Sequence, residues 1–171
     1  SLIKNQGLRF LGITALPDFD LMKSCRDNPD LSFFVFLSDT DINMISDSLK
    51  LSNNLKKYLK TLIEIKNMPV PHKKEEIKDI LNISDEKIFR DYLRIAKLPA
   101  TQLSEIEKLL DEIISNCEPY RINDLNIKGK TLKKIGFSGE EIGRALERAR
   151  IYVLSHPDKN NKEDLIDFLR P

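Results

Sequence analysis

The stretch that decides the fold runs from Arg121 to Leu146 and reads RINDLNIKGKTLKKIGFSGEEIGRAL. Its branched apolar residues recur at helical spacing on both sides of a glycine-containing turn, which predicts a helix–turn–helix hairpin. Gly129 and Gly136 suit backbone positions of positive φ, where a Cβ would clash. Six of the other positions are Lys or Arg, so the hairpin is expected to expose a cationic surface.

The second helix of the hairpin begins with the sequence Ser138-Gly139-Glu140-Glu141, which is typical of a capping box. In such a box the Ser138 hydroxyl accepts from the amide of Glu141, whose carboxylate reaches back. The helix is then predicted to run to about Leu154. Gly143 lies one turn into it and would allow another backbone to approach closely. The inward positions of this helix are Ile142, Leu146, Ala149 and Val153.

A glycine turn that leads into a helix N-terminus can bind phosphate. Here Glu140 and Glu141 occupy that positive end and would repel an anion, so the turn is interpreted as structural. Lys and Arg side chains nearby are the better candidates, since they bind phosphates without reading sequence. The candidate anion-binding residues of this region are Lys128, Lys130, Lys133, Lys134, Arg144 and Arg148.

Net charge is +1 overall, but the charges are distributed in blocks along the sequence. Residues 51–74 carry 6 basic and 1 acidic side chains, and residues 121–150 carry 8 and 4, so both segments are basic. Residues 75–120 carry 6 basic and 11 acidic side chains. Two basic segments suggest local anion-binding faces. On charge alone, lysines that merely solvate helix faces explain the pattern equally well.

Residues 52–65 form an amphipathic pattern, with Ser52 as the predicted N-cap. Lys56, Lys57 and Lys60 fall away from its apolar stripe and are expected to face solvent or a partner. The sequence Met68-Pro69-Val70-Pro71 then ends the helix, because proline lacks the amide donor.

Three further helices are predicted before the hairpin, and prolines separate them. The first covers about residues 73–81, the second starts at a Ser84 cap and stops at Pro99, and the third opens at Thr101. Glu118-Pro119-Tyr120 marks the next boundary. Earlier in the chain, the apolar run 31–37 is predicted to be a buried helix, because no second strand is available to pair with it. The expected fold is therefore all-α, a multi-helix array of about nine helices with short loops and no substantial sheet.

Composition narrows the class of protein. No run approaches the ~20 apolar residues of a membrane span, and the basic N-terminus is not followed by the apolar core of a signal peptide. Cys25 and Cys117 form neither a disulfide framework nor a metal spacing, which favours a cytoplasmic protein. His72 and His156 stand alone, so no zinc site is expected. Arg90 and Asp91 are interpreted as a surface pair in mid-helix.

The hairpin resembles the C-terminal signature of the tRNA CCA-adding nucleotidyltransferase and poly(A) polymerase family, bacterial type. The matching pieces are Ile127–Leu132 (IKGKTL), Ile135-Gly136, Gly139–Gly143 (GEEIG) and Leu146, followed by Asn160, Glu163 and Leu165. Leu49–Asn53 (LKLSN) is similar to the opening of a body helix in that family. Thr131 replaces the usual Asp, and the turn from Gly136 to Gly139 lacks the usual Pro.

The resemblance implies three regions: residues 1–16 as the end of a neck, residues 17–118 as an RNA-binding body, and residues 119–171 as a tail. In this family the body and tail grip the acceptor–TΨC arm of tRNA. The chain would then set the distance from the tRNA elbow to the catalytic head. The candidate lysines and arginines of residues 56–60 and 128–148 would contact backbone phosphates of the tRNA. The resemblance further implies that the partners are tRNA and the protein's own N-terminal catalytic head. Oligomeric state stays open.

Catalysis in this family uses two metal-binding carboxylates of the head, in a Gly-Ser…Asp-x-Asp arrangement. Asp39-Thr40-Asp41 lacks the Gly-Ser strand and is interpreted as a helix start. No catalytic residue and no cofactor is therefore expected in this chain, and Mg and CTP or ATP would bind in the head. Three alternatives remain: the RNA-binding part of a bacterial poly(A) polymerase, a DNA-binding helix-hairpin-helix module, and a non-catalytic helical interaction domain.

Overall fold

The computed structural model describes residues 17–37, 45 and 49–170. Within these ranges the chain forms nine α-helices and no strand, which confirms the predicted all-α fold. The predicted neck (residues 1–16) and the Asp39–Asp41 segment lie outside the described residues. The helices are α1 (Phe19–Ser24), α2 (Pro29–Leu37), α3 (Asn53–Asn67), α4 (Lys74–Ile83), α5 (Glu86–Ile95), α6 (Ala100–Ser115), α7 (Gly129–Lys134), α8 (Glu140–Ser155) and α9 (Lys162–Leu169), with short 3-10 helices at Ile122–Asp124 and Pro157–Lys159.

Helix starts follow the capping chemistry of the sequence, with two corrections. Ser52 caps α3 as predicted, since its hydroxyl accepts from the amide of Leu55 at 3.3 Å. The predicted cap of α5 was wrong by one residue, because the Asp85 carboxylate accepts from the amide of Ile88 at 2.8 Å. Helix α6 begins at Ala100 rather than opening at Thr101, with Pro99 at the N-cap position and no side-chain cap.

The apolar run of residues 31–37 is helical and buried, as predicted. Leu31, Phe34, Val35 and Leu37 are the buried side chains of α2. Pro29 is the first residue of the helix. A backbone amide at this position has no acceptor within the helix, so the missing N–H of proline removes no helical hydrogen bond. The Asn28 side chain accepts from the amide of Leu31 at 3.1 Å, so a polar cap defines the start of an otherwise apolar helix.

The chain divides into two compact units. Unit 1 comprises Ser1–Pro69 and Ser84–Leu98, and unit 2 comprises Val70–Ile83 and Pro99–Pro171. The first crossing between them falls within the proline-rich break predicted at residues 68–71. The division into body and tail at residue 118 stays a prediction.

Unit 1 contains a buried carboxylate that the sequence did not reveal. Asp91 is 6% exposed, and its Oδ2 accepts from Asn28 Nδ2 at 2.8 Å and from the Tyr58 hydroxyl at 2.9 Å. Burial, together with the hydrogen bond to Asp91, raises the pKa of Tyr58. The interpretation of Arg90 and Asp91 as a surface pair was therefore wrong: Arg90 instead binds Glu86 at 2.8 Å, and Asp91 joins α3 and α5 to the start of α2.

The core of unit 2 forms where α8 packs against α7 and α9. Ala149 and Val153 are buried, as predicted, while Ile142 and Leu146 pack against the same core and are partly buried. Ala145 is also buried. The other buried residues of this core are Leu125, Ile127, Leu132, Leu165 and Leu169.

A buried ion network joins α4 and α8 within unit 2. Lys78 is 1% exposed, and its Nζ lies 2.8 Å from Glu118 Oε2 and donates to the Leu154 carbonyl at 2.9 Å. Lys74 Nζ contacts the other Glu118 oxygen at 2.8 Å and Glu112 Oε2 at 3.1 Å. Since a buried ammonium is costly without partners, these contacts fix the positions of α4, α8 and residue 118.

Arg150 forms a second link between α8 and α4. Its side chain is 8% exposed and binds Glu147 Oε1 at 2.7 Å on its own helix and Asp79 Oδ1 at 2.9 Å on α4. Arg150 lies in one of the basic segments of the sequence, yet its charge is neutralised inside the unit. Counting charges along the chain therefore overstates the cationic surface.

We predict that Glu118→Ala lowers the free energy of unfolding by about 3–5 kcal/mol, because it leaves Lys78 buried without its counter-ion. Glu112→Ala is the matched control and should cost about 0–1 kcal/mol, since the Glu112 side chain is 42% exposed. Urea unfolding followed by helical circular dichroism measures both. Equal losses in the two variants would contradict the structural role of the network.

Acid should weaken the same network. Burial alone would raise the pKa of Glu118, but hydrogen bonds from Lys74 and Lys78 outweigh it and lower the pKa below the ordinary value of 4.5. The unfolded chain therefore binds more protons just below that pH, so the free energy of unfolding falls as pH drops through the lowered pKa. Unfolding curves over this range should show a shallower pH dependence for Glu118→Gln than for wild type. Glu107→Gln, on the exposed face of α6, should leave the dependence unchanged.

Candidate nucleic-acid interface

Two glycines of the hairpin turn adopt positive φ, Gly136 as predicted and Gly139 in addition. Gly136 has φ +106° and Gly139 has φ +52°. The prediction for Gly129 was wrong, because it opens α7 and is constrained by contact: a Cβ there would lie 3.2 Å from Ile142 Cγ2. The prediction for Gly143 was also wrong, since an added Cβ would meet nothing within 4 Å.

The capping box at the start of α8 is half formed. The Glu141 carboxylate accepts from the Ser138 amide at 3.3 Å, as predicted, but the Glu141 amide donates to the Ser138 carbonyl rather than to its hydroxyl. Gly139 takes the N-cap position in a conformation that has no side-chain cap. Because Glu141 occupies the Ser138 amide, the turn is a poor phosphate cradle.

Helix α7 presents three lysines on one face. Lys130, Lys133 and Lys134 follow i, i+3, i+4 spacing and are exposed, while Leu132 on the other face is fully buried. Within the described residues, no carboxylate lies within 4.0 Å of the three ammonium groups. No neighbouring carboxylate among the described residues therefore neutralises these lysines, and their ammonium groups are available to an anionic partner.

The remaining predicted cations of the hairpin are exposed as well. Lys128 Nζ donates to the Asn123 carbonyl at 2.7 Å, a contact that leaves its charge uncompensated. The Arg144 side chain is 70% exposed, and its nearest carboxylate is that of Glu140 at 3.9 Å. The Arg148 guanidinium carbon lies 5.8 Å from the centre of the Phe168 ring. We call these three residues together with Lys130, Lys133 and Lys134 the hairpin cations.

The other predicted cations belong to unit 1. Lys57 and Lys60 are exposed on α3 and Lys56 is half-buried, whereas the opposite side of the helix buries Leu59, Leu62 and Ile65. The sequence pattern thus placed these lysines correctly on α3. That they act on the same ligand as the hairpin cations stays a prediction.

Cations elsewhere in the described chain are commonly paired. Arg94 binds Asp27 at 2.6 Å, and its hydrogen bonds lower the pKa of that carboxyl despite partial desolvation. Lys78 and Arg150 are buried in the networks described above. The hairpin cations differ because, among the described residues, the one carboxylate within 4.0 Å of any of them is that of Glu140, at 3.9 Å from Arg144, and this contrast marks them as the candidate interface.

Helix α6 carries the opposite charge. Glu105, Glu107 and Asp111 are exposed on it and belong to the acidic block of residues 75–120. Unit 2 therefore has an acidic helix as well as a cationic hairpin, and a polyanion would be repelled from the former.

The described residues contain no group of three His, Cys, Asp or Glu side chains arranged to hold a metal ion. His72 and His156 are both exposed, and His156 stacks on Tyr152 with ring centres 4.7 Å apart. No described helix combines the length and apolar character needed to cross a membrane.

We predict opposite effects for alanine at two hairpin glycines. Gly136→Ala forces an L-residue to φ +106° and should destabilise the chain by about 1–3 kcal/mol. Gly143→Ala fills open space on a helix and should stabilise it by about 0.5–1 kcal/mol. Thermal unfolding of the two variants and of wild type measures whether each substitution raises or lowers stability. Destabilisation by Gly143→Ala would contradict the prediction that a methyl group at this position meets no neighbouring atom.

Comparison with known proteins identifies a family for the chain. The family model for tRNA nucleotidyltransferase domain 2 matches residues 31–169, which include both sets of candidate cations. No curated protein and no solved structure gives a significant match. Since the family model covers most of the sequence, the chain belongs to the tRNA nucleotidyltransferase domain 2 family.

Proposed function

We propose that this chain binds the backbone of the tRNA acceptor–TΨC arm and positions the tRNA 3′ end for a catalytic head outside the given sequence. The observation that carries the proposal is the set of exposed hairpin cations in unit 2, nearly all without a carboxylate partner among the described residues. Membership of a tRNA nucleotidyltransferase family supports tRNA as the polyanion.

The chemistry of the cations favours a folded RNA as the ligand. Lys and Arg contacts to phosphates give affinity without reading base edges. A-form RNA is recognised largely by shape and backbone, because side chains cannot read its narrow major groove. The lysine face of α7 and the exposed Lys57 and Lys60 on α3 offer such contacts in the two units.

The rigidity of the hairpin suits a positioning role. Leu132 on α7 and Ala149 on α8 share one core, and Lys78 and Arg150 fix α8 to α4. The cations thus project from helices whose places are set before the ligand arrives, which reduces the ordering cost of binding. In our proposal, the distance from this surface to the head determines where nucleotides are added.

The nucleotidyl transfer itself belongs to the head in this proposal. The metal-binding carboxylates of the family lie there, so Mg and CTP or ATP would bind there and not to this chain. We place the protein in the cytoplasm, the compartment that its two free cysteines favour.

The DNA-binding alternative has less support. A helix-hairpin-helix module needs turn amides free for phosphate, whereas Glu141 occupies the Ser138 amide and Glu140 lies beside it. A bacterial poly(A) polymerase branch would have the same architecture but less tRNA-specific binding, so the binding test below compares tRNA with unstructured RNA.

We predict that tRNA affinity falls steeply with added salt, because binding releases the counter-ions of the phosphates. Lys133→Ala combined with Lys134→Ala should reduce the slope of log affinity against log salt by about two, and Lys57→Ala with Lys60→Ala by a similar amount. Filter binding over a series of salt concentrations gives the slopes.

The control is Lys108→Ala, which removes one exposed lysine from the acidic helix α6 and should leave the slope unchanged. An affinity independent of salt, or equal slopes in all variants, would refute the proposal. Unstructured RNA binding as tightly as tRNA would favour the poly(A) polymerase branch.

A further inference from the structure

Two of the hairpin cations, Arg144 and Arg148, border a groove whose lining is not explained by contacts to an RNA backbone alone. The groove has a volume of about 510 Å³ and lies where the end of α7 meets α8 and the end of α9, all within unit 2. Its apolar lining comes from the side chains of Ile135, Phe137 and Leu169. Its polar lining comes from Glu141, Arg144 and Arg148.

The two arginines give the groove a site for phosphate. Arg144 and Arg148 are one helical turn apart on α8 and both are exposed. The carboxylate nearest to Arg144 lies at 3.9 Å, and within the described residues none lies within 4.0 Å of Arg148. A guanidinium binds phosphate through two parallel hydrogen bonds, so two exposed guanidinium groups on one wall suit a nucleotide phosphate.

The rest of the lining does not suit a bare phosphate. Phe137 and Ile135 are partly buried and offer an apolar surface, against which a flat base can stack. The Glu141 carboxylate repels an anion but accepts hydrogen bonds from amino and ring N–H groups, which nucleobases carry. A group that joins a phosphate to an aromatic base matches all three features.

We infer that this groove takes a single unstacked nucleotide of the bound RNA. Its base lies on the wall of Phe137, Ile135 and Leu169 and donates to Glu141, and its phosphate binds Arg144 and Arg148. The inference rests on the proposed function, since the RNA is the proposed ligand, and it adds recognition of an unpaired base to that of the backbone. Sequence-specific RNA recognition usually targets such unstacked bases.

The test uses a single-stranded RNA oligonucleotide that carries one 2-aminopurine, and the same oligonucleotide with an abasic site at that position. The chain contains no Trp, so the fluorescence of 2-aminopurine can be followed without overlap. We expect binding to wild type to quench this fluorescence by stacking. The abasic oligonucleotide should bind about 5- to 150-fold more weakly, the range of one stacked base.

Two substitutions test the base-binding wall and the phosphate-binding arginines of the groove separately. Phe137→Leu keeps the apolar contact with the core but removes the aromatic ring, and should remove most of the quenching. Arg148→Gln should weaken both oligonucleotides by a similar factor, because it acts on the phosphate. The matched controls are Phe19→Leu and Arg26→Gln, which change exposed residues of unit 1 and should leave quenching and affinity unchanged. Circular dichroism of each variant verifies that it is folded.

The outcomes for the groove and for the proposed function are distinguishable. If tRNA binds with the salt slopes given above while the abasic and intact oligonucleotides bind folded wild type equally, the groove inference is overturned and the proposed function stands. Unchanged quenching in folded Phe137→Leu also overturns the inference. If Phe137→Leu loses the quenching while the tRNA affinity of wild type does not depend on salt, the groove inference is supported and the proposed function is refuted.

Discussion

Unit 2 depends on one buried ammonium group. Lys78 is enclosed within the fold, and its charge is tolerated only because Glu118 and the Leu154 carbonyl accept its hydrogen bonds. A buried charge without partners would cost several kcal/mol, so any arrangement that separates α4 from Glu118 or α8 is strongly disfavoured. Apolar contacts do not depend on direction, so the hydrogen bonds and ion pairs of this network help to specify one arrangement of the helices around the core.

The same unit uses its basic residues in two ways. Lys78 and Arg150 are enclosed and neutralised, and they hold helices together. The hairpin cations are exposed, and among the described residues Arg144 alone of them has a carboxylate within 4.0 Å, that of Glu140. The difference follows from position on the helix: residues on the core side meet the carboxylates of α4 and residue 118, while residues on the outer side meet solvent. Our proposal assigns RNA binding to the second group.

The hairpin turn connects this framework to the candidate interface. Gly136 and Gly139 adopt positive φ, and Gly129 brings α7 against Ile142 of α8. Close packing at Gly129 and the sharp turn after α7 place Phe137 beside the arginines of α8 and so create the groove. An exposed lysine surface and an apolar groove with two guanidinium groups are thereby produced by one short segment.

The sequence by itself determined the helical class, the cap at Ser52, the buried helix at residues 31–37 and the exposed sides of α3 and α7, because these follow from local periodicity and capping. It also predicted the family, which the family model confirms. It predicted positive φ correctly at Gly136 and wrongly at Gly129. It did not determine which basic residues are neutralised, that Asp91 is buried, that Gly139 adopts positive φ, or that Phe137 lines a groove with Arg144 and Arg148. Those properties arise between residues up to about 76 positions apart, as with Lys78 and Leu154, and only the tertiary structure brings such residues into contact.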